Sequence, residues 1–334
     1  MRLPPKIQPF YVRPVFDGHL GEWGVVRSWV IQPLQERYMG QSAALEHEVK
    51  ASTRPKWPVS PWLLLLVLVV AAVYAPVLAQ LAGDWLHDPN YSHGLLVPVV
   101  SGFLLWRSRK GFRAIPPVPM NAGLLGVLAA AVLLVVGAAG AEVFTQRVSF
   151  VLLLASLVLF LAGRGWLKKA AFPLAFLLLA IPLPYLVYYS LTAPMQALAA
   201  HAAVTGLGWV GVPAVAQGNI IHLPETSLEV AEACSGIRSL YAFLALGALF
   251  AHSMSIPMWG KLIVFFSTIP LSIAANAVRV WGSGISAHLA GPKAVEGTVH
   301  EVFGLIIFAG AILVFLLIRK GVRVLWPSAT SSPS

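Results

Sequence analysis

Charge is scarce in this chain and cysteine nearly absent: 11% of 334 residues are charged, and one residue, Cys234, is a cysteine. A lone cysteine excludes an intramolecular disulfide in any compartment, and it excludes a multi-cysteine zinc site. So little charge beside 58% hydrophobic residues and a mean hydropathy of +0.78 excludes an ordinary soluble domain of this length. The balance that remains, 23 Lys and Arg against 13 Asp and Glu, is strongly basic. It does not point to a nucleic-acid partner, because the basic residues stand in loops beside hydrophobic runs, where membrane orientation is decided. No G-x-S-x-G elbow is present for a serine nucleophile. His87, His93, His288 and His300 match no H-x-x-x-H spacing with a carboxylate fixed beside it, so no metal site and no cofactor is expected. No convincing internal repeat supports a transporter built of two halves.

What the chain has instead is long apolar runs, several near the roughly 20 residues that cross a bilayer as a helix. They predict an all-α polytopic membrane protein of about eight transmembrane helices, over 61–82, 92–106, 121–141, 148–163, 170–189, 236–252, 261–281 and 302–318. This membrane domain occupies 57–326. Residues 1–56 are charged, proline-containing and aperiodic, and read as a disordered cytoplasmic extension; 327–334 read as a short cytoplasmic tail. The late, long first apolar run does not resemble a cleaved signal peptide. Met39 begins a more ordinary lead into the first span than Met1, which leaves the translation start open between the two.

The basic clusters gather on one side of the bundle. "RSRKGFR" (107–113), "RGWLKK" (164–169), Lys261 and "RKGVR" (319–323) fall on one side, which the positive-inside rule makes cytoplasmic together with both termini. From Asp84 onward, every acidic residue falls at or beyond the other face. That outer face also carries the loop "GDWLHDPNYSHG" (83–94) and the segment from about 190 to 235. Within the latter, "TAPMQALAAHAAVTGLGWVG" reads as a short amphipathic helix lying along the interface. "GNIIHLPETSLEVAEAC" reads as a short β-hairpin ending at Cys234. Trp57, Trp62, Trp85, Trp106, Tyr188, Tyr189 and Trp281 stand at span ends as interfacial anchors.

Three reactive side-chain types then reach one depth on that face. Cys234 sits at the mouth of the sixth span, Arg279 at the outer end of the seventh, and His300 just before the eighth. Cys234 reads either as a small buried hydrophobe or as a nucleophile, and its surroundings favour the second. Ala233, Ser235 and Gly236 leave the backbone open around it, and Arg238 and a helix N-terminus would both favour the thiolate. Arg279 reads either as a snorkelling residue or as a group facing a cavity or partner. Asn276, one turn earlier, lies on the same helix face and is placed to hold its guanidinium. His300 has the ordinary pKa range of an acid–base catalyst. In "DPNYSHG", Asp88 and His93 read as turn residues with substrate contacts, since sequence neighbours rarely build a triad.

The segments "EACSGIRSL" (232–240), "NAVRVW" (276–281) and "HEVFG" (300–304) resemble the three signatures of the exosortase/archaeosortase family. "DPNYSHGLLVP" (88–98) resembles its bacterial exosortase branch. That resemblance implies a multi-pass protein of the bacterial inner membrane, its active site on the extracytoplasmic face. It implies a cysteine transpeptidase or protease, with Cys234 as nucleophile and Arg279 and His300 as its partners; Arg238, one turn along the sixth span, reads as a supporting cation. The implied partners are exported proteins whose C-terminal sorting tails are of the PEP-CTERM kind, associated with exopolysaccharide and biofilm matrix, and an acceptor nucleophile of unknown identity, all met within the lipid bilayer. A membrane lipid or glycan transferase would fit the same outer-face residues, and a transporter fits them less well.

Overall fold

A computed structural model describes residues 61–224, 226–230, 236–291 and 297–326, with side chains from 301 in the last segment. The readings of 1–56 and of the tail from 327 lie outside the described residues, as do Cys234 and the side chain of His300.

All eight apolar stretches are mostly helical, the fifth with a break. Helix α1 (Pro61–His87) is followed by a 3₁₀ turn (Ser92–Leu95), α2 (Leu96–Arg107) and the short α3 (Arg109–Arg113). Then come α4 (Ala122–Ala139), α5 (Val143–Ala162), α6 (Arg164–Phe176) and α7 (Tyr185–Trp209). After a small sheet the chain ends in α8 (Ile237–Ser253), α9 (Met258–Phe266), α10 (Thr268–Ala290) and α11 (Gly297–Leu325). Among the described residues, five stretches have the length and composition to cross a membrane: 61–87, 122–139, 143–162, 258–290 and 301–325. A sixth is the pair 164–180 and 185–209, bent by 76°. Helices α2 and α8 would be about 18 and 25 Å long, short of the roughly 30 Å hydrocarbon core. The multi-pass architecture stands, with five or six full-length spans where hydropathy marked about eight.

Packing follows from where small residues fall. Gly123 and Gly126 of α4 lie against Phe160 and Ser156 of α5, so the two backbones approach closely. Glu142 closes the turn between them, accepting from the Phe144 and Thr145 amides as the N-cap of α5. Its pKa reflects burial, which raises it, outweighed by those hydrogen bonds, which hold it below the usual carboxylate range. Tyr74, Val77 and Leu81 form the buried stripe of α1, and the Tyr74 hydroxyl lies 3.0 Å from Ser149 Oγ of α5. The outward faces of α1 and α4 carry exposed Leu and Val, as lipid-facing helices do.

The fifth stretch breaks at "IPLP" (181–184), where two prolines cannot continue a helix and the chain turns extended. Helix α7 starts at Tyr185, earlier and longer than the short interfacial helix read from sequence. Its Ala199, Ala200, Ala203 and Leu207 form one core with Val280 and Ala287 of α10. Gly206 lies against Trp281, and Gly284 against Leu207. The sheet completes this layer: β1 (Val215–Gln217), β2 (Ile220–His222) and β3 (Ser227–Glu229) pair antiparallel in that order. The predicted hairpin is β2–β3. Strand β1 was not foreseen; it joins β2 through Gly218–Asn219, where Gly218 takes φ +63° as tight hairpin turns require.

Helix α10 corrects the position of Arg279. The seventh span was read as ending at 281, but the helix runs on to Ala290 and places Arg279 at its middle. Hydropathy fell at "WGSGISAHLA" because these residues are small and polar. They are small so that α7 can pack on them.

Candidate functional site

The site is best built from Gly236, the first described residue after Cys234. Gly236 adopts φ +79° and caps the N-terminus of α8. A side chain there would be strained by that backbone, and its Cβ would stand 2.9 Å from the Asn276 side chain of α10. Its carbonyl accepts from the Leu240 amide, from Ser239 Oγ at 2.8 Å and from Ser272 Oγ at 3.4 Å. The two hydroxyls are 3.2 Å apart. Ser272 is 0% and Asn276 4% exposed, so one face of α10 presents buried polar groups at i and i+4 to this turn. The open backbone read around the thiol is, at Gly236, a turn held by three side chains.

One turn beyond Asn276, Arg279 meets α11. Its Nε is buried, and a Cβ at Gly304 would stand 3.0 Å from the guanidinium carbon. Gly304 therefore leaves room for a flat cation between the helices. Gly282 is likewise filled by the Phe303 ring. A snorkelling arginine would sit at a helix end with its head in water; a mid-helix arginine packed on a facing helix does not. Position 300 stands one turn before Gly304 in α11.

The DPNYSHG loop reaches the same turn from the other side. Asp88 Oδ1 accepts from the Asn90 amide at 2.8 Å, which makes Asp88 a turn residue. Asn90 Oδ1 in turn accepts from Arg238 Nη2 at 3.5 Å, engaging the exposed arginine of the first turn of α8. The His93 ring stacks on Tyr241, centroids 5.3 Å apart, and its Nε2 lies 3.3 Å from the Leu179 carbonyl oxygen. Tyr91 packs against Tyr188 and Tyr241. Burial, then the nearby Tyr188 and Asp88, push the Tyr91 hydroxyl well above its ordinary pKa, so it stays protonated. Tyr188 is accordingly a buried member of this cluster, and Trp281 a packing partner of Gly206; neither is an interfacial anchor.

Three groups escaped the sequence reading. Arg147 is 4% exposed and pairs with Asp84 at 2.6 Å. Like Arg238 and Arg279, it lies outside the sidedness pattern of the basic clusters, and that exception was the available signal. Ser272 and Ser239 are ordinary residues whose role appears only when the helices meet. Among the described residues, no cluster of three or more His, Cys, Asp or Glu could hold a metal ion.

The described parts of three motifs are thus in contact: Gly236 of "EACSGIRSL" with Asn276 of "NAVRVW", and Arg279 of the latter with Gly304 of "HEVFG". Asp88 and His93 join at the start of α8, beside Arg238 and Tyr241. A family model described as transmembrane exosortase matches residues 85–317. No curated protein and no solved structure shows a significant match.

Proposed function

The chain belongs to the transmembrane exosortase family, and on that premise we propose that it is a cysteine transpeptidase that cleaves exported proteins at a C-terminal sorting tail of the PEP-CTERM kind. The observation carrying this reading is the meeting of the three motifs through Gly236, Asn276, Arg279 and Gly304. In it, a substrate's tail helix lies beside α8, α10 and α11 with its scissile peptide at the extracytoplasmic interface of the bacterial inner membrane. The Cys234 thiolate attacks the peptide carbonyl, forming a carbon–sulfur bond and a tetrahedral oxyanion. Arg279 stabilises that charge from a fixed position between two helices. Collapse breaks the carbon–nitrogen bond, His300 protonates the leaving amine, and a thioester remains. An acceptor amine or hydroxyl, or water, then gives His300 its proton and attacks the thioester; the carbon–sulfur bond breaks and the Cys234 thiolate is regenerated.

The test is cleavage of a co-expressed exported protein bearing such a tail. Cys234→Ala and Cys234→Ser should leave it uncut while the enzyme still accumulates in the membrane. Arg279→Lys should lose roughly 10²–10³ in rate, because a point charge cannot replace a planar donor fork. Near-normal cleavage by Cys234→Ala would overturn the assignment. A trapped acyl group on Cys234 that proves to be lipid would redirect it to a lipid transferase.

A further inference from the structure

At the N-terminal end of α6, remote from the Leu179 carbonyl that meets His93, two segments bring six exposed cations together. Arg109, Lys110 and Arg113 lie on α3, and Arg164, Lys168 and Lys169 on the first turns of α6. Helix α3 is not a loose loop. Phe112 is buried with its ring 5.0 Å from that of Trp166. Trp166 Nε1–H donates to the Ile115 carbonyl at 3.0 Å, and the Val118 amide to the Ala162 carbonyl at 3.1 Å. The Lys169 side chain crosses over Gly111, its ammonium 6.0 Å from the Phe112 ring.

Among the described residues, none of these cations has a protein counter-charge. Between Asp88 and Glu225 the chain holds one acidic residue, Glu142, and it caps the other end of α5. The one ion pair among the described residues is Arg147–Asp84. Cations on a mobile loop separate and hydrate individually, whereas cations fixed on a folded platform sum to a local potential that draws anions. The platform adjoins an apolar wall: Val99, Phe103 and Trp106 of α2 are exposed, and Arg109 lies 4.2 Å over the Trp106 ring. A cationic shelf meeting an exposed aliphatic and aromatic face fits an amphiphile with a negative head.

We propose that the α3–α6 platform binds the phosphate headgroup of an anionic phospholipid, whose acyl chains lie along α2. The experiment is native mass spectrometry of the full chain in detergent, offered phosphatidylglycerol or phosphatidylcholine with the same acyl chains. Phosphatidylglycerol should be retained preferentially. Arg113→Gln/Lys168→Gln/Lys169→Gln should weaken that retention by at least about tenfold, on the scale of roughly fivefold per cation near a membrane surface. Lys320→Gln/Arg323→Gln, which neutralises the exposed basic end of α11, should leave it unchanged. Because all three substituted side chains are exposed, the triple variant should also unfold at the same temperature without lipid. Equal retention of the two lipids, or a triple variant that binds like the parent, overturns the proposal. So does displacement of the lipid by inorganic phosphate at constant ionic strength, which would mark a site for free anions.

Discussion

At one end of the bundle Arg113 and Lys168 stand open to solvent on a cationic shelf; at the other, Arg147 is 4% exposed and held at 2.6 Å by Asp84. Arg279 is likewise drawn between α10 and α11, against a glycine. In a count of charges the two kinds of residue look alike. Physically they differ in what their removal does. An exposed cation already has water as its partner, and its loss changes the surface potential and little else. A buried one has exchanged its hydration for a few fixed contacts, and losing those leaves a charge that nothing screens.

The largest effect should come from breaking the pair between buried Arg147 and half-exposed Asp84. Asp84→Ala leaves Arg147 without its counter-charge and should cost about 2–3 kcal/mol in thermal or denaturant unfolding, below the roughly 3–5 of a fully buried pair because Asp84 is 37% exposed. Arg147→Met/Asp84→Leu should recover most of that loss. If Asp84→Ala unfolds like the parent, the contrast between the two ends is wrong.

Next in size is the polar clasp on Gly236. Ser272→Ala removes a fully buried hydroxyl and should cost about 1 kcal/mol, within the range for one intramolecular hydrogen bond. Under the proposed mechanism it should also slow alkylation of Cys234 and shift the pH profile of that reaction. A purely structural serine would lower the unfolding temperature and leave that profile in place.

The smallest effect, about 1 kcal/mol or less, is expected at the α4–α5 turn. Glu142→Ala removes the N-cap of α5 and lowers the unfolding temperature modestly. Because the folded-state pKa of Glu142 is depressed, its contribution is present above the unfolded-state value of roughly 4.3. It is lost as pH falls through the lower folded-state value. The gap between parent and Glu142→Ala should therefore close in acid and stay constant near neutrality.

Much of this was legible beforehand. The apolar stretches became helices near the expected places, because twenty apolar residues in lipid have few alternatives that satisfy their backbone. Asp88 was correctly read as a turn residue, since Asx turns depend only on residues two apart. Arg279 was placed at a helix end, because a hydropathy window reads "WGSGISAHLA" as departure from the membrane when it is a packing surface for α7. Tyr188 was taken for an anchor because sequence position cannot say which way a tyrosine near a span end is turned.

From the residues alone came the membrane class, the segregation of basic and acidic ends and the motif order, all of which follow from local composition and neighbour spacing. Only the packed helices decided that Asp84 finds Arg147, that Ser272 finds the Gly236 carbonyl, and that α7 lies on α10. Such pairings depend on the rotation and crossing of helices, and those are set by how small residues on one surface admit large ones on another.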